Sequence, residues 1–249
     1  MFFKEEAGGA DLDLVALPDL LSLHPDVVDP GPGLASEVLD EDTLFFGLDP
    51  GVVLGDDRVI DLEGAIGAPA EKDLPAIRER FGAELGRMKV TLVVGGDTRS
   101  RSVRNALAKV TDRAELVCVH DAVRPCVSPE WIDRVFAEAA RTGAAILACP
   151  VHGTLKRAAG GLIRATLPRE EFWEAQTPQV FRRELLREAY AGDAEATDDA
   201  HLVERLGRPV SLVPGDPRNV KITTPADLAF AEAVIGTLPT PPNARRAGT

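Results

Sequence analysis

Short β-branched runs that stop on glycine or aspartate, separated by helices with clear ends, constrain this chain most. Such an alternation builds a largely parallel sheet covered on both faces. Lys89-Val90-Thr91-Leu92-Val93-Val94 halts at Gly95-Gly96, and Leu116-Val117-Cys118-Val119-His120 halts at Asp121. Ala144 to Ala148, Val210 to Val213 and Asn219 to Ile222 read as strands in the same way. Between them, Ser128 is an N-cap with Pro129 at the first helical position, Trp131, Ile132, Val135, Phe136 and Ala139 share a face, and Gly143 supplies a stop. Thr224, Pro225 and Asp227 open a last helix that carries Leu228, Ala231 and Val234. The predicted class is α/β with a mixed, mostly parallel sheet.

Ligands of such sheets bind beyond the carboxyl ends of the strands, so those ends hold the candidate residues. At the first, Gly95 and Gly96 read, taken alone, as a plain turn or as a place where backbone approaches a flat ligand, and Ser102 falls in the first turn of a helix near its free N–H groups. The second is Asp121, three residues before Arg124. A carboxylate there suits Mg²⁺, which takes one or two carboxylates plus phosphate oxygens, and a guanidinium can grip a phosphate with two bonds. At the third, Lys221 interrupts an apolar run. Buried in a central strand it needs an anion to meet it; on an edge strand it needs none.

Two segments depart from the alternation. Residues 150 to 171 hold two extended stretches around Gly160-Gly161, a hairpin that forms either a surface flap or an arm exchanged between subunits. Glu174 to Phe181 leads into a helix, with Thr177 either a turn residue or a phosphate ligand. Ala196-Thr197-Asp198-Asp199-Ala200 reads either as a metal-binding carboxylate pair or, the favoured reading, as a helix start with Thr197 as its cap and the two acids at the positive end of the dipole.

Charge divides the chain of 249 residues sharply. Residues 1 to 57 set one basic residue, Lys4, against fourteen acidic ones, a net −13, whereas the remainder carries 27 basic and 26 acidic side chains. No basic cluster suits duplex nucleic acid, and no apolar run approaches the roughly 20 residues of a membrane span. A mean hydropathy of −0.03 fits an ordinary globule. The opening Met1-Phe2-Phe3-Lys4-Glu5-Glu6 has no signal-peptide core, and Cys118, Cys126 and Cys149 form no C-x-x-C pair. They are expected to be reduced, mostly buried thiols of a cytoplasmic protein.

Six motifs stand in order: GGDTRSRSV, VHDAVRP, GTLKRA, W-x-A-Q-T-P-Q-x-F from Trp173, TDDA and NVKITTPADLAFAE. From about residue 66 to 236 the chain resembles the 2-C-methyl-D-erythritol 4-phosphate cytidylyltransferases of the non-mevalonate isoprenoid pathway. The resemblance implies a Rossmann-like, mostly parallel sheet with helices on both faces and a protruding β-arm at about 150–171. It also implies a homodimer whose substrates are CTP and methylerythritol phosphate and whose cofactor is Mg²⁺ or another divalent cation. Carried over motif by motif, Gly96, Asp97 and Ser102 would recognise cytidine, Ala122 would lie beside the ribose and Asp121 would hold the metal. Arg124, Thr154, Thr177 and Lys221 would bind or orient methylerythritol phosphate, and Arg169 would reach in from the partner's arm, with Arg169 and Lys221 serving catalysis.

One family feature is missing. The family opens with a strand followed by P-A-A-G-x-G-x-R and, later, P-K, whose amides and cations cradle a triphosphate. Residues 1 to 57 contain no arginine and only Lys4. Pro30-Gly31-Pro32-Gly33 is no substitute, because prolines lack N–H donors. Three explanations stand: a coding-frame displacement upstream of about Ile66, which the abrupt switch in composition favours; a relative that keeps the fold as a binding or regulatory module without catalysis; or a cytidylyltransferase for another polyol phosphate such as ribitol phosphate. The expected organisation is an anomalous acidic segment at 1–57, mistranslated or disordered, one nucleotidyltransferase domain at 58–236, and a disordered tail at 237–249.

Overall fold

The computed structural model describes residues 43–48, 62–87, 90–192 and 195–239. The strands are β1 (Thr43–Leu48), β2 (Leu62–Gly67), β3 (Val90–Leu92), β4 (Leu116–Asp121), β5 (Ala144–Pro150), β6 (Leu155–Ala159), β7 (Leu162–Leu167), β8 (Trp173–Arg182) and β9 (Ser211–Pro214). The helices are α1 (Leu74–Arg87), α2 (Arg99–Leu107), α3 (Pro129–Thr142), α4 (Arg183–Ala189), α5 (Asp199–Arg205) and α6 (Pro225–Ile235). Seven strands form one sheet in the order β3-β2-β1-β4-β8-β5-β9, and β6 with β7 forms a separate hairpin. Five of the seven run one way, while β1 and β8 oppose them from inside the sheet, so only β2 with β3 and β5 with β9 pair in parallel.

Alternation along the central strands divides the core into two layers. Val117, Val119, Ala144, Ile146 and Phe181 face α2, α4 and α5, together with Val103, Leu107, Leu186, Leu202 and Val203. Their neighbours Cys118, Ala145, Leu147 and Val180 face α3, whose stripe of Trp131, Ile132, Val135, Phe136 and Ala139 is buried as its period predicts. Each fully buried aliphatic side chain contributes roughly 1.5–3 kcal/mol. The three cysteines are free and buried, and burial pushes the Cys126 thiol up to about 11.

The caps of α3 match their sequence signals: the Ser128 side chain accepts from Trp131 N, and Gly143 closes the helix at φ 95°. Thr224 and Asp227 form a reciprocal capping box on α6. At α5 the cap is Asp198, one residue past the expected Thr197; its carboxylate accepts from His201 N. Asp199 is thereby turned inward.

One expected strand needs correction, and one strand was not expected. Asn219 to Ile222 is not a strand but an irregular connection between β9 and α6, leaving a turn closed by Asn219 N donating to Asp216 O at 3.0 Å and anchored by Ile222 N donating to Val123 O at 2.9 Å. Val220 and Ile222 pack toward α6 beside Cys126 and Ala231, which explains the apolar run without a neighbouring strand. The stretch from Glu174 to Phe181 does lead into a helix, α4 at Arg183, but is itself most of β8, a strand between β4 and β5 that was not expected. Pro178 argues against a central strand because it cannot donate to a ladder. It follows a cis Thr177–Pro178 bond and lies where the β5 register shifts between Ile146 and Ala148, one residue beyond the last rung to β4 at Gln179. No ladder needs its missing N–H there.

Of the acidic opening, only Thr43–Leu48 is described up to residue 57; it pairs antiparallel with β4, with Thr43 opposite Asp121. The rest of that segment, and the tail from residue 240, lie outside the described residues.

Candidate active site

β4 carries Asp121 to the end of the sheet, and a turn closed by Arg124 N donating to Asp121 O at 3.0 Å folds Arg124 back over it. Arg124 Nε then lies 3.3 Å from Asp121 Oδ2, while its Nη1 donates to the carbonyl of Asn219 at 2.7 Å. That bond fixes the connection before α6, which delivers Lys221 Nζ to 3.7 Å from the same carboxylate oxygen. From α2, Arg99 places Nε 3.5 Å from Asp121 Oδ1. Three cations therefore surround one buried carboxylate. Burial alone would raise its pKa, but Arg99, then Lys221 and Arg124, outweigh that cost and hold it below the usual carboxylate range.

A buried histidine orders the backbone behind this cluster. His120 Nε2 lies 3.0 Å from the carbonyl of Arg124, which can only accept, so this nitrogen carries the proton and donates. Nδ1 then accepts from the Thr177 hydroxyl at 2.9 Å, and the same hydroxyl accepts from Asp121 N at 3.0 Å. The neutral ring is favoured because burial pushes its pKa down to about 4. Asn219 completes the arrangement by donating from Nδ2 to the carbonyl of Thr177 at 2.8 Å. Thr177 is 4% exposed, and its hydroxyl is already engaged on both sides.

Beyond β3, Gly95 and Gly96 are required by close approach. A Cβ on Gly95 would lie 2.5 Å from Ala68 O, and one on Gly96 would lie 2.2 Å from Arg101 Cβ. Ser102 braces this loop, its hydroxyl accepting from Gly96 N at 3.0 Å and donating to Thr98 O at 3.2 Å. Asp97 is exposed and pairs with Arg101 at 3.3 Å, whereas Ala122 is buried. Thr154 and Arg169 stand on the arm, Thr154 in the exposed turn before β6 and Arg169 after β7, where its Nη1 donates to the carbonyl of His152. The structure thus gathers Asp121, Arg124, Thr177 and Lys221 into one hydrogen-bonded and ion-paired set and joins the Gly96 loop to Ser102 in the first turn of α2. Arg169 and Thr154 remain with the arm of their own chain.

Several residues of this site carry no assignment in the sequence reading. His120 is hidden inside an apolar run, and Asn219 sits beside the lysine that attracts attention. Arg99 lies within the quoted GGDTRSRSV motif, yet its partner is 100 residues away: Nη2 donates to Asp199 Oδ2 at 2.7 Å. Burial alone would weaken the Arg99 charge, but Asp199 and then Asp121 secure it. Tyr190 donates its hydroxyl to Asp199 Oδ1. Among the described residues, no group of three or more His, Cys, Asp or Glu side chains is set to hold a metal. Asp121 is a lone carboxylate whose Oδ1 faces Arg99 and whose Oδ2 faces Arg124 and Lys221, so a Mg²⁺ ion, which fills its shell with phosphate oxygens and water, would have to share it with those cations. No helix among the described residues is long and apolar enough to cross a membrane.

A sheet wrapped by helices on both faces, with charged groups gathered at its strand ends, defines a Rossmann-like α/β protein. A sequence model of the 2-C-methyl-D-erythritol 4-phosphate cytidylyltransferases matches residues 68–237, and the chain belongs to that family. It is 51% identical over 153 residues to the enzyme of that name from Acidobacterium capsulatum, a match covering 57% of this chain and 64% of that relative. The Rhodopirellula baltica relative is 46% identical over 188 residues, covering 70% of this chain and 77% of the relative. A crystal structure of the Thermus thermophilus enzyme superposes with a TM-score of 0.56 at 44% identity, covering 59% of this chain and 73% of that one. A crystal structure of a 4-diphosphocytidyl-2C-methyl-D-erythritol synthase gives a TM-score of 0.61 at 36% identity over 72% of this chain and 84% of that one.

Proposed function

We propose that the domain joins CTP to 2-C-methyl-D-erythritol 4-phosphate. A phosphate oxygen of the acceptor attacks the α-phosphorus of CTP, the bond between that phosphorus and the bridging oxygen breaks, and pyrophosphate leaves. The observation that carries this reading is the cluster of Arg99, Arg124 and Lys221 around Asp121 at the strand ends, in a chain of this family. Two anions must meet in the reaction, so positioning and charge neutralisation matter more than a base. Lys221 and Arg124 bind the acceptor phosphate. Thr154 orients the acceptor directly, and Thr177 does so through the Asp121 backbone and His120 that its hydroxyl holds. The loop with Gly96 and Asp97, together with Ser102 of α2, receives cytidine, with Ala122 beside the ribose. Asp121 would hold Mg²⁺, which supplies neutralisation of the phosphates when bound. Arg169 acts from the partner's arm in a cytoplasmic homodimer.

The opening segment favours a second reading for the chain as it stands. With no arginine and only Lys4 up to residue 57, the triphosphate lacks the cations that the family pattern supplies, which fits a binding module without catalysis. We attribute the segment to a displaced coding frame. Translation of the upstream DNA in the other two forward frames is expected to show P-A-A-G-x-G-x-R and P-K, and intact DNA without them would refute this explanation. Pyrophosphate release from CTP and methylerythritol phosphate tests the function. The 249-residue chain is expected to turn over at least about 10²- to 10³-fold more slowly than a version carrying the family's opening segment, since single donors in comparable sites are worth that much. Normal turnover by the literal chain would overturn the role given to the loop. No turnover by a folded, restored version would overturn the assigned activity, and preference for ribitol phosphate would reassign the acceptor.

A further inference from the structure

Asp199 is fully buried and opens α5, yet it does not cap that helix; Asp198 does, while also accepting from Gln179 Nε2 at 3.0 Å. Gln179 Oε1 accepts from Ala200 N at 3.0 Å, so β8 grips the start of α5 from both sides of Asp199. A carboxylate in such a place is costly unless it is paired and hydrogen-bonded. Both its oxygens are used: Oδ2 accepts from Arg99 Nη2 at 2.7 Å, and Oδ1 accepts from the hydroxyl of Tyr190, which is 4% exposed.

Arg99 spans two carboxylates with two edges of one rigid plane, Nη2 toward Asp199 and Nε toward Asp121 Oδ1 at 3.5 Å. Arg124 and Lys221 both approach the other oxygen, Oδ2. Were Asp199 absent, the full charge of Arg99 would fall on Asp121 and compete with any cation that carboxylate should hold. We propose that Asp199, braced by Tyr190, is a positioning residue for Asp121: it takes up the charge of Arg99 and fixes its plane, so that Asp121 keeps one orientation and retains its affinity for a divalent cation. The metal half of this statement rests on the role given to Asp121 above; the orientation half does not.

The test uses the full chain with ¹⁵N-labelled arginine and ¹³C-carboxyl-labelled aspartate. In the wild type the Arg99 Nε–H signal, assigned by its loss in Arg99→Lys, should exchange slowly with solvent. Mn²⁺ should broaden the Asp121 carboxyl signal, assigned by its loss in Asp121→Asn. Asp199→Asn is expected to speed Arg99 Nε–H exchange and weaken Mn²⁺ binding, each by about tenfold, as loss of a charged hydrogen-bond partner implies. Tyr190→Phe keeps the ring and should act in the same direction by about threefold, as loss of one hydrogen bond implies; it decides the matter if Asp199→Asn does not fold. A merely structural role would lower the melting temperature and leave both signals of the folded protein unchanged. That result, or rapid Arg99 exchange already in the wild type, would overturn the inference. If Arg99 responds but Mn²⁺ broadens no aspartate in any version, the orientation role stands and Asp121 loses its assignment as metal ligand.

Discussion

Lys221 and Arg124 both face Asp121 Oδ2, but they are held differently. Lys221 is 25% exposed at its side chain, whereas Arg124 is 10% exposed and also bonded to the carbonyl of Asn219. In a catalytically restored enzyme, Lys221→Ala is expected to weaken methylerythritol phosphate binding about tenfold with little change for CTP. Calorimetric titration with each ligand checks this, and equal losses would contradict the division of roles. Arg124→Ala should also destabilise the fold, by on the order of 3 kcal/mol, because it breaks a buried ion pair; denaturant midpoints separate that cost from binding. His120 supplies a pH dependence. Its folded pKa lies near 4 against an ordinary 6.5, so between these values the unfolded chain binds the additional proton. Stability is therefore fully present above about pH 6.5 and falls as the pH drops toward 4, by about 3 kcal/mol over the window. A folded His120→Gln variant should lose that slope in urea titrations, and an unchanged slope would assign it to other groups.

At the scale of elements, the arm was legible because its turn is local. Gly160 and Gly161 take φ values of 59° and 73°, a conformation that glycine adopts without strain, and β6 and β7 pair around them. Leu162 and Ile163 are 61% and 67% exposed, so the hairpin is not built into either core layer. Mixing inactive Arg169→Ala and Asp121→Asn versions of the restored enzyme tests whether the arm serves a partner. With free exchange and random pairing, activity should return to at most about a quarter of the wild-type level, since half the dimers are mixed and one site in each is complete. No recovery after confirmed exchange would place Arg169 outside the partner's site. β8 was not legible, because Pro178 argues against a central strand unless the neighbouring register shift is known.

Across the whole molecule, one sheet separates two apolar layers and gathers the site at the end of its central strand β4. Much of this was written locally. The β4 run ending on Asp121, the Ser128 cap with Gly143 as stop, and the Thr224 capping box each follow from residues within a few positions of one another, where period and hydrogen-bonding chemistry suffice. The six motifs likewise carried the family, whereas the acidic opening contributes Thr43–Leu48 to the sheet between β2 and β4. Tertiary structure alone decided that Asn219 to Ile222 is a connection rather than a strand, that β8 lies between β4 and β5, and that Lys221 meets Asp121 across the fold. It alone joined Arg99 to Asp199 over 100 residues of chain. Caps and periods depend on neighbours in sequence, whereas the partner of a buried charge depends on which distant elements the packing of both layers brings to the same strand end.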